Sequence, residues 1–139
     1  MKPDDKKPDP HAFVAVRAED PDDDAWVEVV GSDQQAYWYR FSGGADGNGN
    51  LVVGTRHGKT EFTVTLQNKD EEGFDIGGVS FRDSKGQLSL DMAKTTKKKA
   101  FIRDANSAAM NGYYAVLVTR EDGRVSISCD PMIKNDPRA

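Results

Sequence analysis

Core-forming residues in this chain recur at every second position within short runs, and turn-forming residues separate the runs. That pattern excludes most folds. A strand turns successive side chains to opposite faces, so a run such as Glu61 to Leu66 (EFTVTL) buries one face and wets the other. The runs are Phe13 to Arg17, Trp26 to Val30, Ala36 to Phe41, Leu51 to Val53, Glu61 to Leu66, Phe74 to Phe81, Gln87 to Leu90, Ala100 to Ile102, Tyr113 to Thr119 and Val125 to Cys129. No stretch carries a capped period of 3.6, and only Asp104 to Met110 offers a single helical turn. Short, evenly spaced strands of this kind imply an all-β chain. The expected architecture is an antiparallel two-sheet sandwich, immunoglobulin-like in general outline. A length of 139 residues suits one domain with a core of its own. The opening MKPDDKKPDP is charged and has no apolar stretch of the kind a secretory signal needs. Residues 1–11 therefore read as a disordered tail, and 12–139 as the single domain.

The last hairpin can be read in register. Asp122-Gly123 is a type I′ turn signal, which sets Glu121 opposite Arg124. Counting outward, Val118 meets Ile127, Val116 meets Cys129 and Ala115 meets Asp130. Tyr114, Val116, Val118, Val125, Ile127 and Cys129 then share the core face. Asp130 falls on the other face, with Tyr113 and Leu117 diagonal to it.

Several functional classes lack residues to support them. A net charge of −4 gives no reason to seek nucleic acid or an anionic membrane as partner. No apolar run nears the roughly 18 to 20 residues that span a bilayer. A single cysteine, Cys129, rules out an intrachain disulfide and fits a cytoplasmic location. Its alternation places it in the core as a small hydrophobe. The segment DGNGN (46–50) starts like a calcium loop, but Leu51 stands where the loop glycine belongs and His57 where the bidentate glutamate belongs. His11 and His57 are isolated, so neither a triad nor a zinc site is expected, and no cofactor is implied.

One statistical oddity remains. Four of the six prolines follow aspartate: Asp9-Pro10, Asp20-Pro21, Asp130-Pro131 and Asp136-Pro137. Asp-Pro suits turns and frayed ends, because the residue before proline is pushed out of the helical region. The third pair differs in closing a core run, SISCDP. Asp-Pro is also the peptide bond that its own side chain breaks most readily. The β-carboxyl can attack the adjoining carbonyl to form a five-membered anhydride, and proline's tertiary nitrogen leaves easily once protonated. Tethering of this kind is worth roughly 7–11 kcal/mol when the orientation is right. A fold that uses it must hold the rotamer, steady the oxyanion and supply a proton. Acyl shifts are disfavoured, since they need Ser, Thr or Cys where Pro131 stands.

The ending SISCDPMIKNDPRA and the stretch GFDIGGVSFRDSKGQLS resemble the DP-EP family of small bacterial β-sandwich proteins, over residues 60–139. Where that family's name gives Glu-Pro, this chain has Asp136-Pro137. The resemblance implies aspartic-type self-processing at the bond between Asp130 and Pro131. Asp130 then acts as nucleophile, or as the acid beside an attacking water. Tyr113 is the candidate hydrogen-bond donor. The basic run Lys97, Lys98, Lys99 supplies Lys98 as a candidate to give a proton or capture the acyl group. Asp75, Asp83, Asp91 and Asp104 are carboxylates that could assist. The expected partner is the chain's own peptide 131–139, released by the cut. The rival reading is a non-enzymatic binding module that uses sheet edges or the aromatic residues Trp26, Tyr37, Trp38 and Tyr39.

Overall fold

Eleven strands build two sheets in the computed structural model, which describes residues 11–44, 47, 49–55 and 58–130, and the backbone of 132–136. In chain order they are β1 (His11–Arg17), β2 (Val27–Val30), β3 (Ala36–Gly43), β4 (Leu51–Gly54), β5 (Thr60–Leu66), β6 (Phe74–Arg82), β7 (Leu88–Leu90), β8 (Lys99–Asp104), β9 (Met110–Arg120), β10 (Val125–Cys129) and β11 (Met132–Asp136). Among the described residues no α-helix forms, and a 3-10 turn spans Asp70–Glu72. The chain is all-β, in two sheets.

Six strands form the first sheet, in the order β2-β3-β1-β5-β8-β7. The second centres on β9, which pairs with β6 along one side and with β10 and β11 along the other; β4 lies outside β11. The expectation of purely antiparallel sheets is corrected here, because β1 runs parallel to β5 and β11 runs parallel to β4. Parallel neighbours need a long connection between them. Both pairs have one: β2 to β4 intervene in the first, and most of the chain in the second.

Period-two burial is the physical cause of this arrangement. Along β9, Tyr114, Val116 and Val118 are buried while Tyr113 and Leu117 are exposed. Along β1 the buried set is Ala12, Val14 and Val16, and along β5 it is Phe62, Val64 and Leu66. These residues and their partners from both sheets make one continuous apolar cluster. Each fully buried Val, Leu, Ile or Phe contributes roughly 1.5–3 kcal/mol relative to exposure. Edge-to-face ring pairs link the sheets, Phe41 with Tyr114 at 6.1 Å and Tyr37 with Phe74 at 6.4 Å.

The C-terminal hairpin has the register read from its turn, with Val118 facing Ile127 and Val116 facing Cys129. Asp122 and Gly123 take φ of 56° and 85°, and the Arg124 N–H donates to the Glu121 carbonyl at 3.2 Å. Two local expectations are corrected. Asp104 to Met110 forms no helical turn; the Asp104 carboxylate instead accepts the Asn106 N–H at 2.9 Å, and Asn106 takes φ of 50°. A side chain that satisfies the backbone two residues on competes directly with a helix. His11, placed in the tail, opens β1 opposite Thr63. The remaining tail, residues 1–10, lies outside the described residues.

Candidate functional site

Asp130 does not close the strand it ends in the sequence. Cys129 faces Val116, and Met132 faces Tyr113. Three steps forward on one strand match three steps back on the other, so β10 and β11 share a single register against β9. Asp130 therefore stands opposite Ala115, as the turn predicts. The ladder is interrupted only between Cys129 and Met132, where the chain has a proline, which carries no N–H to contribute. Pro131 itself lies outside the described residues.

The outer and inner sides of this interruption differ. On the outer side Asp130 is exposed, and the Ser128 hydroxyl donates to its Oδ1 at 3.2 Å. It lines a shallow depression of about 210 Å³ with Ser80, Arg82, Tyr113 and Ala115. Ser80 reaches this place because β6 sets it opposite Ala115. The Arg82 guanidinium lies over the Tyr113 ring at 4.6 Å. A cation against the negative ring face also holds that ring in place.

The inner side is packed with core residues. Cys129 and Tyr114 are almost fully buried, and Phe41 nearly so. Burial pushes the Cys129 thiol far above its usual range, with the Asp130 charge adding to the effect. Such a thiol is inert as a nucleophile. Tyr39 on β3 is half-buried on the first sheet's side, and burial raises its phenol pKa, offset in part by the Asp130 backbone. Its ring packs edge-to-face on Phe41 at 5.9 Å, and Phe41 packs in turn on Tyr114. The Tyr114 hydroxyl donates to the Gly49 carbonyl at 2.7 Å.

Of the residues singled out by sequence, Asp130 and Tyr113 come together in the outer depression. Lys98 does not join them. Its ammonium meets the Phe74 carbonyl and lies 3.5 Å from Asp75 Oδ1. Asp75 pairs with Thr119, four residues along β9 from Ala115, which is about 13 Å of strand. Lys98 thus serves the hairpin end of the sheet. Asp75 is taken by Lys98, and Asp83 lies near Arg82 on the surface. Asp91 is buried against the Arg103 guanidinium at 2.8 Å. Burial raises the Asp91 pKa, but the N–H groups of Lys94 and Ala93 and the Arg103 charge outweigh it and leave the carboxyl below its usual range. Asp104 is buried in the first sheet.

The aromatic set divides. Tyr37 is buried and Tyr39 packs against the core, whereas Trp26 lies under the Arg17 guanidinium at 5.4 Å. They do not form one groove. A larger cleft of about 460 Å³ lies at the opposite edge of the six-stranded sheet, between β5, β7 and β8, with Lys59, Glu61 and Arg103 on its walls. No group of three or more acidic, His or Cys side chains suited to a metal occurs among the described residues. Of the calcium-like segment, Asp46, Asn48 and His57 lie outside those residues, and Leu51 is core. No helix among them is long and apolar enough to cross a membrane.

Ser128 and Arg82 are the site residues that sequence reasoning missed. Ser128 carried a signal, since it shares a face with Asp130 two residues on. Arg82 carried none, because strand order alone brings it near.

No protein-family model matches the chain, and no curated protein matches it. Among solved structures it is similar to the inclusion body protein PixA of Burkholderia cenocepacia, at 14% identity and a TM-score of 0.29, over 94% of this chain and 95% of that one. An overlap this loose supports neither a shared fold nor a shared activity.

Proposed function

We propose that this protein cuts its own backbone between Asp130 and Pro131, as an aspartic-type self-processing sandwich of the DP-EP kind. The observation that carries the proposal is the unbroken register across that bond. A strand paired on both flanks fixes the position of Asp130 to within the play of a sheet. That is the condition under which a tethered carboxyl gains most from orientation.

The chemistry balances without any other reactant than water. The Asp130 carboxylic acid attacks its own main-chain carbonyl carbon through one oxygen. The carboxyl proton passes to the Pro131 nitrogen as the C–N bond breaks, leaving a cyclic anhydride and a free proline amine. Water then opens the anhydride to two carboxyl groups. Ser128 holds the carboxyl on the outer face, and Tyr113 stands in the same depression to donate a hydrogen bond to it. The two sheets packing on one apolar cluster support the sandwich reading. The single buried thiol and the charged surface support a cytoplasmic residence.

Intact-mass measurement on freshly purified protein tests the proposal. It should show a fragment ending at Asp130 and a nonapeptide beginning at Pro131. A single uncut chain would favour the binding module instead.

A further inference from the structure

We infer that this chain associates with copies of itself head to tail, the outer edge of β2 in one molecule pairing with the outer edge of β7 in the next. The inference uses neither Asp130 nor its bond to Pro131, so it stands apart from the proposed cut.

β2 and β7 are the two ends of the six-stranded sheet. At the first end, the Gly31 N–H donates to the Gln35 carbonyl at 2.9 Å. Antiparallel pairs alternate, so Val29 and Val27 exchange bonds with Tyr37 and Tyr39, and the N–H and C=O of Glu28 and Val30 point away from β3. At the other end, the Asp91 N–H donates to the Phe101 carbonyl and the Ala105 N–H to the Gln87 carbonyl, each at 2.8 Å. The same alternation turns the main-chain groups of Leu88 and Leu90 away from β8. Among the described residues no backbone group pairs with either set. Unpaired edges of this kind take up a strand from a neighbouring chain.

Both edges also expose apolar surface. The three most exposed large apolar side chains among the described residues are Met92 at 77%, Val30 at 64% and Val27 at 50%. Val27 and Val30 belong to β2, and Met92 lies two residues beyond β7. Beside β7 is a depression of about 310 Å³ lined by Leu90, Met92, Ile76, Gly77 and Gly78. A Cβ on Gly78 would meet nothing within 4 Å, so there is room for another chain.

Charge decides which edges meet and in which direction. Residues 19–24, before β2, read EDPDDD, and all five acids are exposed. Residues 94–99, after β7, read KTTKKK. Lys94 and Lys98 are engaged by Glu61 and Asp75, whereas Lys97 and Lys99 are exposed. The Lys97 carbonyl accepts the Ile76 N–H at 2.7 Å, which holds this segment beside the depression. Charged edges ordinarily keep a sheet from pairing with its own copy. Here β2 against β2 brings acid to acid, and β7 against β7 brings lysine to lysine. β2 against β7 is the complementary choice. An antiparallel pairing sets the segment before β2 beside the segment after β7, acid against base. Two different surfaces in contact cannot close at two copies, so they generate a ring or an open chain.

Sedimentation velocity of the full-length chain over rising concentration at low salt tests the inference. The sedimentation coefficient should climb past that of a dimer. High salt should suppress the climb, since exposed charges are screened beyond about 10 Å already at 0.1 M. Val30→Lys charges the β2 edge, and Lys97→Glu with Lys99→Glu reverses the β7 side; each variant alone should sediment as a monomer. Thermal melting near that of wild type checks that these exposed substitutions keep the fold. Mixed in equal amounts, the two variants should form a heterodimer and nothing larger, because one intact pair of edges remains between them. A wild type that stays monomeric at every concentration or stops at a dimer overturns the inference, as do variants that associate like wild type.

Discussion

At the scale of single residues, two neighbours in one strand have opposite fates. Cys129 points inward and is fully buried, and Asp130 points outward into solvent. Only the second can do chemistry near neutral pH, since a thiol whose pKa is raised by burial stays protonated. Cys129→Ala should therefore leave the cut at its wild-type rate, read as the fraction of chain processed. It should also lower stability by about 1–2 kcal/mol, the range for a small core truncation, visible as an earlier urea midpoint. Alanine is the better probe than serine, which would bury an unpaired hydroxyl and confuse the two readouts.

At the scale of elements, the support of the site runs through a glycine. Gly49 takes φ of +81°, and a Cβ there would lie 2.5 Å from Phe41 Cβ. The same residue's carbonyl receives the Tyr114 hydroxyl. Gly49→Ala should displace Phe41, loosen the ring stack beneath Asp130 and cost about 1–3 kcal/mol in backbone strain alone. Thermal melting and the rate of the cut should both register it.

Legibility at this scale followed the reach of each interaction. Alternation within EFTVTL and YYAVLVT marked β5 and β9, and Asp122-Gly123 fixed the β9–β10 register, because each signal is local to its element. β11 was not legible: MIKND has no alternation of its own, and its partners β9 and β4 are set by the rest of the chain. The parallel β1–β5 pair was hidden for the same reason. Lys98 was drawn toward Asp130 on charge alone, whereas strand order puts it beside Asp75. Tyr39 reads in sequence as one of four aromatics that could line a groove, and its packing against the core follows from how the two sheets meet.

At the scale of the molecule, the cut would leave β11 joined to the rest by hydrogen bonds alone. It lies between β9 and β4, antiparallel to one and parallel to the other, so it is held along both edges. Strand addition of this kind draws its affinity from the main chain. The peptide 131–139 should therefore stay docked, giving one species in native size-exclusion and two in denaturing mass spectrometry. Its loss on simple buffer exchange would show that β11 is not held as a sheet interior.

The central claim is that the fold selects one Asp-Pro bond from four with the same covalent weakness. The most direct measurement is a fragment map of the full-length chain incubated near neutral pH, folded and in urea, alongside Asp130→Asn. The account predicts cutting at Asp130-Pro131 alone in the folded wild type, and none there in urea or in the variant, whose amide cannot form the anhydride. Similar nicking at all four bonds, or undiminished cutting in Asp130→Asn, would contradict it.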